Sequence, residues 1–359
     1  MSLHFQPIRV KSVRKETNDC VSVALDVPAA LKESFAYTQG QYLTVKTQIN
    51  GEEVRRSYSL CSSPLDKEWR IAIKKVEGGV FSTYANESLK PGDTLDVMPP
   101  MGKFYTAIQP DQARQYVCFA AGSGITPILS IIKTVLVAEP HSQVILVYGN
   151  RSKASIIFKE QLEALKNKYM ERFSLIHVLS REKMDAPIQS GRITADKCAA
   201  LSSSLIKLDK ADAFFICGPE EMTLAVRDYL KAQSVDPKKI HVELFTTAGV
   251  LARKQQVKKV QSDNAPASKI IVKLDGRSFD FKLPFEGESI LDAALKQGAD
   301  LPFACKGGVC CTCKAKLIEG EVDMDVNYGL EPEEIEQGFI LTCQSHPRTE
   351  QVVVDYDYR

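Results

Sequence analysis

Apolar and polar residues alternate over short stretches through the first third of the chain. Examples are "CVSVALDV" (20–27), "QYLTVKTQI" (41–49) and "WRIAIKKV" (69–76). A period of two puts every second side chain on one face, so each stretch is predicted as a strand; several at close spacing predict a β-barrel or sandwich. One helical stretch interrupts them, "FSTYANESL" (81–89), ahead of Pro91 and Gly92. From about Arg114 to Thr246 the pattern changes. Apolar runs "YVCFAA", "QVILVYG", "FSLIHVLS" and "DAFFICG" alternate with helical segments. That alternation predicts βαβ units and a parallel sheet. A polar stretch with a basic cluster and no apolar period follows, and predicts a linker. Beyond it, "KIIVKLDGRSFDFKL" (269–283) holds two alternating runs around Asp275-Gly276, a hairpin signal. "ESILDAALKQG" (288–298) is an amphipathic helix with Gly298 near its C-terminus, and "QVVVDYDY" (351–358) a closing strand. The expected organisation is a β-barrel domain over 1–109, a doubly wound α/β domain over 110–246, a linker over 247–267 and an α+β domain over 268–359.

Composition sharpens this. A chain of 359 residues is too long for one ordinary core. The net charge is +1, so nucleic acid is not the default partner. From residue 268 to 359 ten Lys or Arg face seventeen Asp or Glu, a net −7, and the rest carries +8. An acidic module, with Asp323, Asp325, Glu333, Glu334 and Glu336 expected on its surface, is joined to a basic one. No apolar run reaches membrane-spanning length, and "MSLHFQPIRVKS" has no signal-peptide core. No membrane partner is therefore expected. Ten cysteines then point to a reducing, cytoplasmic setting, with some on metal rather than in disulfides.

Four of those cysteines stand within "LPFACKGGVCCTCKAKLIEG" (301–320). Cys305, Cys310 and Cys313 have the spacing C-x4-C-x2-C, and Cys343 follows in "ILTCQSH". This is the plant-type spacing for four thiolates on a [2Fe–2S] cluster. Gly307 and Gly308 allow the positive φ angles and close N–H groups that a cluster loop needs. A zinc site is the rival, but zinc ribbons show two close cysteine pairs, and Cys343 is solitary. Cys311 is surplus, because adjacent residues cannot readily both face one cluster.

Two further motifs suit nucleotide cofactors. "RRSYSL" contains Arg56-Ser57-Tyr58-Ser59: a cation for phosphate, a ring to lie on a flavin and a hydroxyl near its N5. Taken singly, such a tyrosine also reads as strand packing. Gly78-Gly79 then precede a helix with Ser82 in its first turn, an anion-binding arrangement. In "YVCFAAGSGITPILSII" a strand runs into Gly122-Ser123-Gly124, and Thr126-Pro127 open a helix. The glycines permit a tight turn against a pyrophosphate, although proline replaces the third glycine of the dinucleotide fingerprint. "FFICGPEEM" ends a strand in Cys217-Gly218-Pro219, with Cys217 either lining a nicotinamide site or filling core.

In this order the motifs resemble the ferredoxin–NADP reductase superfamily with a C-terminal [2Fe–2S] domain, the electron-transfer reductases of oxygenases. Within it the likeness is nearest to the reductase subunits of bacterial phenylacetyl-CoA epoxidases (ring 1,2-monooxygenases). "EEVRRSYSLCSS", "AAGSGITPILSII", "YGNRS" and "LEPEEIEQGFILTCQ" carry it. The resemblance implies an antiparallel FAD barrel, an NAD(P) domain and a β-grasp ferredoxin domain. It assigns Arg56, Tyr58 and Ser59 to the flavin, with Ser59 and Cys217 nearest the chemistry. Ala72, Ile73 and Lys74 match the next flavin strand, and Gly79, Val80, Phe81 and Ser82 the pyrophosphate helix. Gly122, Gly124, Thr126, Pro127, Cys217, Gly218 and Pro219 match nicotinamide motifs, and Glu243 and Phe245 a segment near the flavin. Ser180-Arg181-Glu182 resembles the segment that holds a 2′-phosphate, and Arg151 could add charge there. NADPH is therefore expected ahead of NADH. The implied partner is the oxygenase component of a multicomponent monooxygenase. The alternatives are another acceptor (ring-hydroxylating dioxygenase, acyl desaturase or hybrid-cluster protein) and a non-catalytic flavin/thiol redox sensor.

Overall fold

The computed structural model describes residues 4–245 and 266–358. The chain forms two compact units, residues 1–245 and 246–359. The linker expected over 247–267 falls, as far as residue 265, outside the described residues.

The first unit opens with six antiparallel strands: β1 (Gln6–Thr17), β2 (Cys20–Asp26), β3 (Tyr42–Ile49), β4 (Glu52–Ser59), β5 (Trp69–Lys74) and β6 (Thr94–Val97). Their order is β4-β3-β6-β1-β2-β5. A bridge between Leu60, just past β4, and Ile71 of β5 closes the sheet into a barrel. The period-two pattern turns Val23, Leu43, Val45, Ile71 and Val97 inward, and helix α1 (Val80–Glu87) adds Phe81 and Ala85 to the same core.

The unit continues with a parallel sheet in the order β11-β10-β7-β8-β9: β7 (Gln115–Ala121), β8 (Gln143–Asn150), β9 (Phe173–Leu179), β10 (Ala213–Gly218) and β11 (Ile240–Leu244). Its helices are α2 (Ile125–Ala138), α3 (Lys159–Lys168), α4 (Ala195–Ser204) and α5 (Glu220–Ala232). One apolar cluster joins the sheet to α2 and α3, and another joins it to α4 and α5, as the doubly wound expectation requires. The first cluster also takes in Cys20, Cys61, Ala72 and Phe104, so barrel and parallel sheet share a core. Polar ties reinforce this. Ser130 Oγ donates to the Ser62 carbonyl at 2.6 Å, and the Ser63 and Thr134 hydroxyls meet at 2.8 Å.

The second unit is a mixed sheet in the order β13-β12-β18-β14-β16, with β12 (Ala267–Leu274), β13 (Arg277–Pro284), β14 (Lys314–Glu319), β16 (Phe339–Leu341) and β18 (Gln351–Asp355). The short pair β15 (Val322–Met324) and β17 (Ser345–Pro347) stands beside it. The β12–β13 turn is Asp275-Gly276, both at positive φ, as a tight hairpin demands. β12 pairs with β18 in parallel, the crossover of a β-grasp arrangement. Helix α6 (Ile290–Lys296) starts at Ser289, whose hydroxyl accepts the Asp292 N–H, and lays Ile290, Leu291 and Ala294 on the core. Helix α7 (Pro332–Glu336) is acidic, but Glu334 is not part of an acidic surface. Its side chain is buried and bonded to Lys314 Nζ at 2.8 Å, because the helix turns that position inward.

Candidate functional site

β7 has β8 on one side and β10 on the other, so chain direction around the sheet reverses there. In open parallel sheets ligands bind beyond the carboxyl ends of the strands at such a reversal, here the ends of β7, β8 and β10. Gly122 leaves β7 at φ +53, and a Cβ there would meet nothing within 4 Å, which leaves backbone open to a phosphate. Gly124 is the opposite case. A Cβ there would come within 2.1 Å of the Cys217 carbonyl oxygen, so only glycine lets α2 start this close to β10. Thr126 Oγ1 donates to the Ser123 carbonyl at 3.0 Å and fixes the turn, while Pro127 occupies the first helical turn. Gly218 packs against Met222 and Ala121, and Pro219 caps α5.

Cys217 is fully buried, and burial pushes its thiol well up, with Glu243 adding to the effect. It is a neutral group, not a thiolate. Its neighbour across the β10–β11 ladder is Glu243. Glu243 Oε2 in turn accepts a hydrogen bond from Ser59 Oγ at 3.0 Å. The ends of β4, β10 and β11 therefore meet, and the two residues expected nearest the chemistry both adjoin Glu243. Burial raises the Glu243 carboxyl to about 8, although the Ser59 bond opposes the shift. Phe245 packs on the shared core just beyond.

The flavin motif alternates along β4. Arg56 and Tyr58 share one face and Ser57 and Ser59 the other. Arg56 is exposed, Tyr58 half-buried against Phe81 at 5.5 Å, and Ser57 meets Thr44 at 3.2 Å. On β5, Ala72 faces the shared core, whereas Ile73 points into the barrel. Ile73 can offer only backbone to a cofactor, and its carbonyl is held by Asn86 at 3.0 Å. Lys74 sits 3.5 Å from Asp19. At the α1 end Phe81 is likewise a core side chain, while Val80 is exposed. Ser82 Oγ is engaged with its own loop, accepting from Val76 N at 3.1 Å and donating to the Gly79 carbonyl at 3.2 Å. What this helix presents to an anion is its first-turn backbone N–H groups.

Arg151 and Ser180-Arg181 lie side by side past β8 and β9, and Arg181 N bonds the Arg151 carbonyl at 2.8 Å. Both arginines are exposed. Beside them Asn150 is buried at the end of β8, with its amide next to the Tyr148 hydroxyl. Sequence reasoning passed over Asn150, whose signal was only its place at a strand end.

In the second unit the four cysteines expected on a cluster stand as two pairs. The Cys310 thiol donates to Cys305 Sγ at 3.1 Å, and the Cys313 thiol donates a hydrogen bond to Cys343. The first bond pulls Cys305 down to about 6 and pushes Cys310 well up; the second lowers Cys343 and raises Cys313. Among the described residues no three His, Cys, Asp or Glu side chains converge on one single-ion position. The four thiols match the thiolate set that a [2Fe–2S] cluster requires. Gly307 N reaches Cys305 Sγ at 3.3 Å, and Gly308 N bonds Cys343. Gly308 sits at φ +71, where a Cβ would strike Val326 Cγ2 at 2.6 Å. Cys311 is half-buried, and its carbonyl accepts the Lys314 N–H at 3.1 Å.

Family models describe this architecture in three parts. An oxidoreductase FAD-binding domain matches residues 7–105, an oxidoreductase NAD-binding domain residues 119–228, and a 2Fe-2S iron-sulfur cluster binding domain residues 272–348. The chain is 46% identical over 353 residues to one of the subunits of 1,2-phenylacetyl-CoA epoxidase from Escherichia coli, covering 98% of each. It is 33% identical to the ferredoxin reductase component of 3-ketosteroid-9-alpha-monooxygenase from Rhodococcus rhodochrous, covering 97% of this chain and 96% of that one. Phthalate dioxygenase reductase shares its fold, with a TM-score of 0.59, 22% identity and 98% of both chains covered. No helix among the described residues is long and apolar enough to cross a membrane. With three domain types in this order and relatives matched from end to end, the chain belongs to the family of NAD(P)H-dependent reductase components of multicomponent oxygenases that carry FAD and a [2Fe–2S] cluster.

Proposed function

We propose that the protein accepts a hydride from NADPH and delivers the electrons singly to the oxygenase of a phenylacetyl-CoA epoxidase, in the cytoplasm. The observation that carries this is the meeting of Ser59, Cys217 and Glu243 where flavin strand and nicotinamide strand converge. The 46% identity over 98% of the chain to a component of such an epoxidase points to the partner. Bound here, nicotinamide would supply two electrons as hydride, flavin the means of passing them on singly, and a [2Fe–2S] cluster a one-electron carrier.

The chain's own groups bind and orient. Arg56 offers charge to a phosphate, Tyr58 a ring face, and the first-turn amides of Val80 to Ser82 an anion site. Gly122 admits the nicotinamide pyrophosphate to backbone, while Gly124 seats α2 against β10 beside it, with Gly218 and Pro219 opposite. Cys217 contributes a small neutral surface. The Glu243 carboxyl can hold a proton near neutral pH while its Oε2 accepts from Ser59 Oγ. Cys305, Cys310, Cys313 and Cys343 hold the cluster. Ser180, Arg181 and Arg151 receive the 2′-phosphate.

The test is reconstitution. In place of its Escherichia coli relative, the purified chain should support NADPH-driven epoxidation of phenylacetyl-CoA by the oxygenase of that bacterium. NADPH should be preferred over NADH by roughly tenfold in kcat/KM, the size of one charge-assisted contact. Arg181→Ala should raise KM for NADPH and spare NADH. Cytochrome c reduction without epoxide formation would reject the partner. Equal damage to both nicotinamides would reject the role of Arg181.

A further inference from the structure

The residue after the fourth cysteine is Gln344, buried to 1% exposure. Its amide nitrogen, Nε2, lies 2.8 Å from the Cys343 carbonyl, 3.0 Å from the Lys306 carbonyl and 3.4 Å from Cys343 Sγ. All three neighbours are acceptors, so the amide must present its nitrogen to them. Two N–H bonds then serve three acceptors, and the sulfur receives a share. The side chain is clamped as well as bonded. A Cβ on Gly308 would come within 3.0 Å of Gln344 Cγ, so the amide packs directly on the glycine of the loop. Lys306, whose carbonyl it holds, sits at φ +51, a conformation that a non-glycine residue needs help to keep.

We propose that Gln344 is a positioning residue of the electron-transfer centre. Its amide donates to Cys343 Sγ, raising the reduction potential of the cluster, and ties the Cys343 segment to the 305–310 loop. The inference rests on the assignment of the four cysteines as cluster ligands. Sulfur gains negative charge when a cluster takes an electron, so an N–H aimed at that sulfur stabilises the reduced form more than the oxidised one. The Gly308 N–H acts on the same sulfur, but backbone supplies it whatever the side chain; Gln344 is the contribution that sequence can alter.

The experiment compares the full-length holoprotein with Gln344→Met, which keeps length and volume and removes both donors. Iron and sulfide are assayed first. The cluster potential is then titrated by EPR, and Fe–S stretching bands are recorded in H2O and D2O by resonance Raman spectroscopy. With iron retained, the potential should fall by about 59 mV, a tenfold change in a one-electron equilibrium. The D2O shift of the cysteinyl bands should shrink. An unchanged potential, even with faster iron loss to a chelator, would reduce Gln344 to a packing residue and overturn the proposal. If Gln344→Met fails to hold iron, wild-type protein with side-chain 15N-glutamine decides the matter by pulsed EPR of the reduced cluster. A 15N coupling supports the bond, and its absence overturns it. Wild-type protein without iron would overturn the ligand assignment, a failure distinct from an unshifted potential.

Discussion

At the scale of single residues, Glu243 is where burial and chemistry meet. Its carboxyl is raised by burial to about 8 and braced by Ser59 at 3.0 Å. A carboxyl raised in the folded state favours the protonated form there. Its contribution to stability is therefore complete below the unfolded value of 4.5 and is lost as pH rises through about 8. Glu243→Gln keeps the shape and removes the ionisation. Relative to wild type, the variant should gain ~1–2 kcal/mol between pH 6 and pH 9, after allowance for the partial exposure of the site. Thermal unfolding of the holoprotein at the two pH values measures it, and a constant gap between variant and wild type would contradict the assignment. Ser59 and Cys217 were legible as members of separate motifs, and Glu243 by resemblance. Their meeting was not, because Ser59 and Glu243 are 184 positions apart and only the fold joins them. Gln344 escaped for another reason. The spacing rule concerns thiols, and an amide beside the last one carries no motif of its own.

At the scale of elements, legibility followed burial. The period-two and apolar runs predicted β2, β3, β5 and the inner strands β7, β8 and β10, all rich in buried side chains. They passed over β1, which is twelve residues long but strewn with Lys and Arg on its outward face. They also passed over β11, an edge strand with only Leu244 buried. Close approach between elements was readable only where glycine flagged it. Gly124 seats the start of α2 against β10, and its missing Cβ would overlap the Cys217 carbonyl at 2.1 Å. Backbone cannot retreat there without displacing strand or helix. Gly124→Ala should cost about 1–3 kcal/mol of stability and displace the turn proposed to receive the nicotinamide nucleotide. Unfolding midpoints and stopped-flow flavin reduction by NADPH are the readouts. The rate should fall more than tenfold while FAD content stays near one per chain. An alanine variant with wild-type reduction kinetics would show that the close packing has no bearing on the nucleotide.

At the scale of the molecule, each unit carries its own apolar core. Three clusters lie within residues 8–245 and one within 270–356. The barrel and the parallel sheet cannot be parted so readily, because Cys20, Cys61 and Ala72 sit in the same cluster as Ala120 and Cys217. That shared cluster is a contact periodicity cannot reveal, since it sees which face is apolar but not what covers it. The division has a functional counterpart. The residues proposed to hold flavin and nicotinamide all lie before position 246, and the four cysteines proposed as cluster ligands all lie after it. A chain ending at Phe245 should therefore fold, bind one FAD and oxidise NADPH with ferricyanide at a rate within about threefold of the full chain, for two self-contained cores rarely depend on each other for stability. The same chain should contain no iron and drive no oxygenase turnover. Flavin content, iron analysis and the two assays settle the matter together. Insoluble or FAD-free protein would mean that the first unit needs the second to fold, and oxygenase turnover by the truncated chain would remove the cluster from the electron path.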